Sequence, residues 1–269
     1  MLPEPIRLGP LAFSYYGLMV AVGVLAALAL FSVTAPRRGL APGLTRDFCF
    51  WMVLAGLLGS RIFYVLFHLS EFAGTPSAMF AYWRGGLMFQ GGVVLALAVA
   101  PVFLKRYGLP GWATADVMAP SLALGQSFGR LGCLAAGCCY GRPTANPESP
   151  LGLVFPEGSL APPGLSLRPA QIIESAGLLI LAAILVWAIR SNRRFFSRPG
   201  RVAGLYLLGA GLMRLTMELF FRGDFRGEPL WGLFPPTTLA AILAAAAGLI
   251  IILTLKPAVT ARNDLSNNG

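Results

Sequence analysis

The segment Leu11–Thr34 (LAFSYYGLMVAVGVLAALALFSVT) runs without a single charged residue. A stretch of about 20 apolar residues is long enough to cross the hydrocarbon core of a bilayer as a helix. The pattern recurs along the chain. The expected spans are Leu11–Thr34, Phe48–Leu69, Gly86–Leu104, Trp112–Ala136, Ile172–Ile189, Val202–Phe221 and Thr237–Leu255. In lipid each segment must satisfy its own backbone hydrogen bonds, which makes each of them a helix. An all-α integral membrane protein with seven transmembrane helices is therefore expected. The first run is too long for a secretory h-region of about 7–15 residues, and only Arg7 precedes it as a basic residue. It is expected to be a retained span.

Composition agrees. Of 269 residues, 56% are hydrophobic and 12% charged, whereas soluble domains carry about twice that charged fraction. The net charge of +10 raises nucleic acid as a partner, and the placement of the charges argues against it. Arg37, Arg38, Arg46, Lys105, Arg106, Arg190, Arg193, Arg194, Arg198, Arg201, Lys256 and Arg262 fall in one set of connections. The other set holds only Arg7, Arg84, Arg142, Arg168, Arg222 and Arg226. Cytoplasmic loops collect Lys and Arg, so the N-terminus is expected outside and the C-terminus in the cytoplasm.

One membrane domain is expected over residues 1–256. The connection at about 137–171 lies outside; it is rich in proline and is expected to form a small irregular cap between helices 4 and 5. Residues 257–269 read as a disordered cytoplasmic tail.

Arg61, Arg130 and Arg214 lie inside spans. Each costs about 2.5–3.5 kcal/mol at a helix centre, so such residues face a bundle interior or a polar cavity. The orientation places all three in the outer half. Glu218 follows Arg214 by four residues and shares its helix face. Glu174 opens the fifth span, Gln90 sits in RGGLMFQGG, and Tyr15 and Tyr16 lie in the outer part of the first span. Taken singly, Arg214 with Glu218 reads equally as a structural ion pair, and Arg61 as a snorkelling side chain. Taken together, the arginines suggest a pocket for an anion entering from the outer leaflet. The planar fork of Arg suits phosphate, and the anion most available there is a phospholipid headgroup. A transporter is disfavoured, because the charges gather toward one face rather than at the midplane.

Cys133, Cys138 and Cys139 lie at the outer end of the fourth span and in the cap, while Cys49 is near the inner end of the second. A disulfide joining Cys133 to Cys138 or Cys139 suits an oxidising compartment. A structural zinc wants four ligands, and the sole histidine, His68, belongs to another span, so no metal is expected. A nucleophilic thiol stays open.

The ordered pieces YYGLMV (15–20), GSRIFYVLF (59–67), WRGGLMFQGG (83–92), DVMAP (116–120), GRLGCLAAGCCYG (129–141), LRPAQIIES (167–175) and GLYLLGAGLMRLTMELFFRGD (204–224) resemble the bacterial prolipoprotein diacylglyceryl transferases. The resemblance covers most of the chain. It implies an inner-membrane, multi-pass enzyme with a periplasmic N-terminus and cap and no cofactor. Such an enzyme moves a diacylglyceryl group from phosphatidylglycerol to the lipobox cysteine thiol of a prolipoprotein. Glycerol 1-phosphate is the leaving group. By that resemblance Arg130 and Arg214 hold the phosphate, Glu174 and Glu218 orient arginines, and Tyr16 bonds near the headgroup. Arg61 and Gly141 also match motif positions.

The chain departs from the family pattern at chemically important places. Gln90 stands where the family has a proposed general-base histidine, and an amide does not accept a proton at neutral pH. Cys133 replaces an Asn, Cys138 an acid, Arg168 a His and Ile173 a Tyr. A free thiol of pKa about 8.5 is only a few per cent ionised at pH 7. A nearby arginine that lowers that pKa, or Glu218 as proton acceptor, would do part of the missing work. Two further readings follow from the departures. One is a related membrane transferase with a different acceptor; the other is a phospholipid-binding protein without turnover.

Overall fold

A computed structural model describes residues 6–8, 11–72, 74–82, 85–146, 148–191, 193–222 and 235–255. Seven α-helices occur among them: α1 (Tyr15–Thr34), α2 (Pro42–Phe67), α3 (Phe89–Arg106), α4 (Gly111–Ala136), α5 (Ala170–Arg190), α6 (Arg201–Thr216) and α7 (Pro236–Thr254). Six segments are long and apolar enough to cross a membrane, which makes this a multi-pass membrane protein. The fourth expected span is the exception. Helix α4 is 26 residues long but is not among the six, because Asp116, Gln126 and Arg130 depress its hydropathy.

The first expected span also starts late. Leu11–Phe13 is a short strand, β2, paired antiparallel with β1 (Ile6–Leu8), and the helix begins at Tyr15. Apolar composition alone does not separate a strand end from a helix start.

The chain divides into two compact units, Met1–Thr34 with Ala115–Gly269, and Ala35–Thr114. The tail expected at 257–269 lies outside the described residues.

In the smaller unit α2 and α3 pack backbone to backbone. A Cβ on Gly59 would run into the Gly91 carbonyl, and one on Gly92 would lie 2.7 Å from the Gly56 carbonyl oxygen. Close approach through small residues is how membrane helices gain contact without a hydrophobic driving force. Pro42 opens α2 at its first turn, where its missing N–H costs nothing.

The larger unit uses the same device between α6 and α7. Gly204 and Gly211 face Gly248, Ala241 and Ala245, and a Cβ on Gly211 would sit 2.7 Å from the Ala245 nitrogen. Between α4, α5 and α6 lies a core of Ala119, Ala123, Ala182, Leu185, Ala188, Val202 and Tyr206. The fully buried Asp116 of α4 caps α6 from outside. Its carboxylate accepts the N–H groups of Gly200 at 3.0 Å and Ala203 at 2.9 Å. A carboxylate at a helix N-terminus satisfies orphan donors and complements the dipole. Large apolar side chains remain bare on the helices, such as Leu25 (66% exposed) and Leu253 (72% exposed). Such surfaces suit lipid rather than water.

The expected cap is ordered around a small core of Phe155, Ala161 and Leu167. A short antiparallel ladder, two residues per strand, pairs β3 (Leu153–Val154) with β4 (Ser166–Leu167).

Candidate functional site

Helix α6 does not simply stop at Thr216. Met217–Phe221 continue it as a π-helical turn, and the Arg222 N–H bonds back to the Met217 carbonyl at 2.9 Å. Such turns carry one more residue per hydrogen-bonded ring than an α-helix and are frequent at functional sites. The wider winding rotates the chain less per residue. Arg214, Glu218 and Arg222 therefore lie along one side, and Arg214 and Arg222 both reach the same carboxylate.

That carboxylate is Glu174, in the second turn of α5 and 5% exposed. Its Oε1 lies 3.1 Å from Arg130 Nε and 3.4 Å from Arg214 Nη1, and its Oε2 lies 2.7 Å from Arg222 Nη2. Arg214 Nη2 is 3.5 Å from Glu218 Oε2, while Thr237 of α7 donates to Glu218 Oε1 at 3.0 Å. Helices α4, α5, α6 and α7 thus converge on one polar cluster.

Three guanidinium groups against two carboxylates leave one net positive charge. That excess matches a phosphodiester monoanion. Accessibility grades the arginines. The side chain of Arg222 is 3% exposed, Arg214 16% and Arg130 22%. Arg130 spends Nε on Glu174, and among the described residues no oxygen acceptor is bonded to its terminal nitrogens. Its fork is therefore available to an incoming oxyanion.

Arg222 is the residue that sequence reasoning missed, having been counted as a loop charge. Its spacing of four from Glu218 and eight from Arg214 is visible in the sequence, but the π turn that brings it onto Glu174 is not. The cap fixes its backbone. Gly141 bridges Arg222, the Arg142 N–H bonds the Phe221 carbonyl at 2.8 Å, and Arg142 Nε bonds the Arg222 carbonyl at 2.7 Å. Arg168 adds a bond from Nη1 to the Phe220 carbonyl at 2.8 Å. Gly141 is needed there for space. A Cβ would collide with the Arg168 carbonyl and lie 3.0 Å from that of Phe221. Its motif position therefore serves a close backbone crossing.

Tyr16 lies against α4, its ring 3.1 Å from where a Gly132 Cβ would stand, and it is 45% exposed. Arg61 and Gln90 belong to the smaller unit. Gln90 is the second residue of α3 and is exposed. Arg61 is 5% exposed and has a structural occupation. Its Nε donates to the Met79 carbonyl at 2.8 Å, Nη1 to Gly85 at 2.6 Å and Gly86 at 2.9 Å, and Nη2 to Ala78 at 2.7 Å. The rings of Tyr64, Phe72 and Tyr82 surround it at 5.6–5.8 Å. In this structure Arg61 clasps the connection before α3. Carbonyls shielded from water are costly without donors, and one guanidinium donates to four part-buried ones here.

The three cysteines meet through a helix terminus. Gly137, at φ +70°, ends α4; its N–H bonds the Leu134 carbonyl at 3.2 Å, and the Cys138 N–H bonds the Cys133 carbonyl at 3.0 Å. This Schellman arrangement brings together the side chains three residues before and two after the helix cap, here Cys133 and Cys138. Cys139, at φ +59°, then turns back toward them. The three sulfurs lie within 4.8 Å of one another, and all four cysteines are free thiols. The disulfide expected from Cys133 is not formed. S–H donation from Cys133 and Cys138 pulls the Cys139 thiol well below its usual range; burial opposes this, and Arg130 and Arg222 assist it.

The fold and the cluster define a multi-pass membrane protein with three arginines gathered on one buried carboxylate. The family model described as prolipoprotein diacylglyceryl transferase matches residues 3–254. An Acinetobacter baumannii phosphatidylglycerol–prolipoprotein diacylglyceryl transferase is 35% identical over 225 residues, covering 82% of this chain and 80% of the relative. The Synechococcus elongatus protein of that name is 31% identical over 226 residues, 80% of this chain and 75% of the relative. The Clostridium tetani protein of that name is 31% identical over 229 residues, 85% and 88% respectively. This chain belongs to the prolipoprotein diacylglyceryl transferase family.

Proposed function

We propose that this chain transfers the diacylglyceryl group of phosphatidylglycerol to the lipobox cysteine thiol of a prolipoprotein. The C–O bond from the diacylglyceryl carbon to the phosphate breaks. A C–S bond forms, and glycerol 1-phosphate departs. The observation that carries the reading is the gathering of Arg130, Arg214 and Arg222 on Glu174. A leaving phosphate gains charge in the transition state, and guanidinium groups already fixed in place stabilise it without reorganisation.

Arg130 and Arg214, the two more accessible guanidinium groups, grip the phosphate. Arg222 and Glu174 hold them in place, with Tyr16 beside the headgroup. The thiol proton goes to Glu218. Its Oε2 is buried without a hydrogen bond among the described residues, and its ion pair with Arg214 is loose at 3.5 Å. The protein sits in the bacterial inner membrane with α4 as a seventh span. In this topology the N-terminus and cap are periplasmic, and the C-terminus is cytoplasmic. The polar α4 is tolerable as a span because its charged residues pair inside the bundle.

Gln90 favours a second reading, a phospholipid-binding protein without turnover, since no base stands where the family carries its histidine. One experiment separates the two. Purified protein, phosphatidylglycerol and a lipobox peptide are incubated, and the peptide is examined by mass spectrometry. A diacylglyceryl adduct with release of glycerol 1-phosphate is expected. Lipid binding without adduct, where a histidine-bearing relative works, leaves the second reading.

A further inference from the structure

We infer that Cys133, Cys138 and Cys139 form a binding site for one thiophilic cation of the Cu(I) class. The sulfurs lie within 4.8 Å of one another, and none is bonded to another. The arrangement is built by the backbone. The Schellman end of α4 pairs Cys133 with Cys138, and Cys139 occupies the left-handed region at φ +59°. A non-glycine residue there is uncommon and is held against a conformational cost. That cost is what brings the third sulfur in.

A second observation comes from α5. Gln171 is 1% exposed; its Nε2 donates to the Cys138 carbonyl at 2.9 Å, while its Oε1 is buried with no hydrogen-bond partner among the described residues. The amide ties the first turn of α5 to the backbone of the thiol-bearing turn, and its open oxygen marks a place where the described residues leave the polar network incomplete.

The donor set selects the cation. Soft thiolates favour Cu(I), Zn(II) and iron–sulfur clusters. Structural zinc takes four ligands, and among the described residues no fourth thiol or imidazole joins these three. Cu(I) is satisfied by three sulfurs in a plane. Each ligating thiol releases its proton to solvent, and the cation keeps its oxidation state. Three thiolates around a monovalent cation carry excess negative charge. Arg130 and Arg222, within electrostatic reach of Cys139, offset it.

The test uses the full chain in detergent micelles, reduced and free of oxygen, titrated with Cu(I) buffered by bicinchoninate. One Cu(I) per chain is expected, with a near-ultraviolet thiolate-to-copper band and an X-ray absorption spectrum of sulfur ligands only. Cys133→Ser, Cys138→Ser and Cys139→Ser each weaken binding by at least about 100-fold, and Cys49→Ser does not. Should a serine variant fail to fold, the wild-type chain supplies a second measurement. Cu(I) protects the three thiols from maleimide, read by mass spectrometry, and leaves labelling of Cys49 unchanged. Less than one equivalent bound, unchanged affinity in all three folded serine variants, or labelling of the three thiols undiminished by Cu(I) overturns the inference.

Discussion

Arg222 Nη2 lies 2.7 Å from Glu174 Oε2, with the two side chains 3% and 6% exposed. Neither charge is tolerable alone at that depth. The pair forms the floor of the polar cluster, and Arg130 and Arg214 share the other oxygen of the same carboxylate. Breaking a buried pair by removing one partner costs about 3–5 kcal/mol. Glu174→Gln is therefore expected to destabilise the folded protein by about that amount. A thermal melt in detergent would detect it, alongside loss of transfer activity. A melt equal to wild type would mean that the cluster does not hold the helices together.

Arg130 behaves differently, because among the described residues no oxygen acceptor is bonded to its terminal nitrogens. Arg130→Ala is expected to leave the melting temperature close to wild type. The rate of transfer from phosphatidylglycerol should fall by at least about 10²-fold, the usual scale for losing one donor to a developing oxyanion. Arg130→Lys keeps the charge but loses the paired geometry and should recover only part of the rate. Initial rates across a phosphatidylglycerol titration measure both variants.

For Arg61 the expectation reverses. Its guanidinium serves four backbone carbonyls, so Arg61→Ala strips a donor from each, although Ala78 keeps the Ala81 N–H. A loss of at least about 3 kcal/mol is expected, seen as a lower melting temperature and less recoverable protein. The transfer rate should follow the folded fraction. A rate that collapses while the melt stays unchanged would return Arg61 to the headgroup.

Gln90→His adds an imidazole at the second position of α3. A general base contributes roughly 10²–10⁴-fold where it is well placed, and transfer is expected to rise. The pH–rate profile should gain a limb near pH 6.5, with activity lost as the pH falls and the imidazole protonates. No increase at any pH would place the missing base elsewhere.

Much of the membrane architecture was legible because apolar length is a direct reading of bilayer thickness. Six of the expected spans correspond to segments that satisfy it. The strand at Leu11–Phe13 was not legible, since three apolar residues fit either state. In-span charge exposed Arg130 and Arg214, as burial of a guanidinium without purpose is expensive. It also pointed to Arg61, whose depth is real but whose partners are main-chain carbonyls from a connection the sequence does not place. Arg222 was hidden for the opposite reason. It follows the last apolar residue of its span, where a basic residue is unremarkable, and only main-chain hydrogen bonding brings it inward. The meeting of the thiols depended on a helix end that Gly137 signals, and on a φ at Cys139 that nothing in its residue type announces.

The wide turn at Met217–Phe221 has a consequence for how this site tolerates change. Exchanging its side chains would leave the residue count, and so the azimuth at which Arg222 emerges, untouched. Deleting one of Leu219, Phe220 or Phe221 would restore ordinary winding and swing that arginine toward the lipid, undoing the cluster without removing a single charged group. Here the arithmetic of the main chain is itself part of the chemistry.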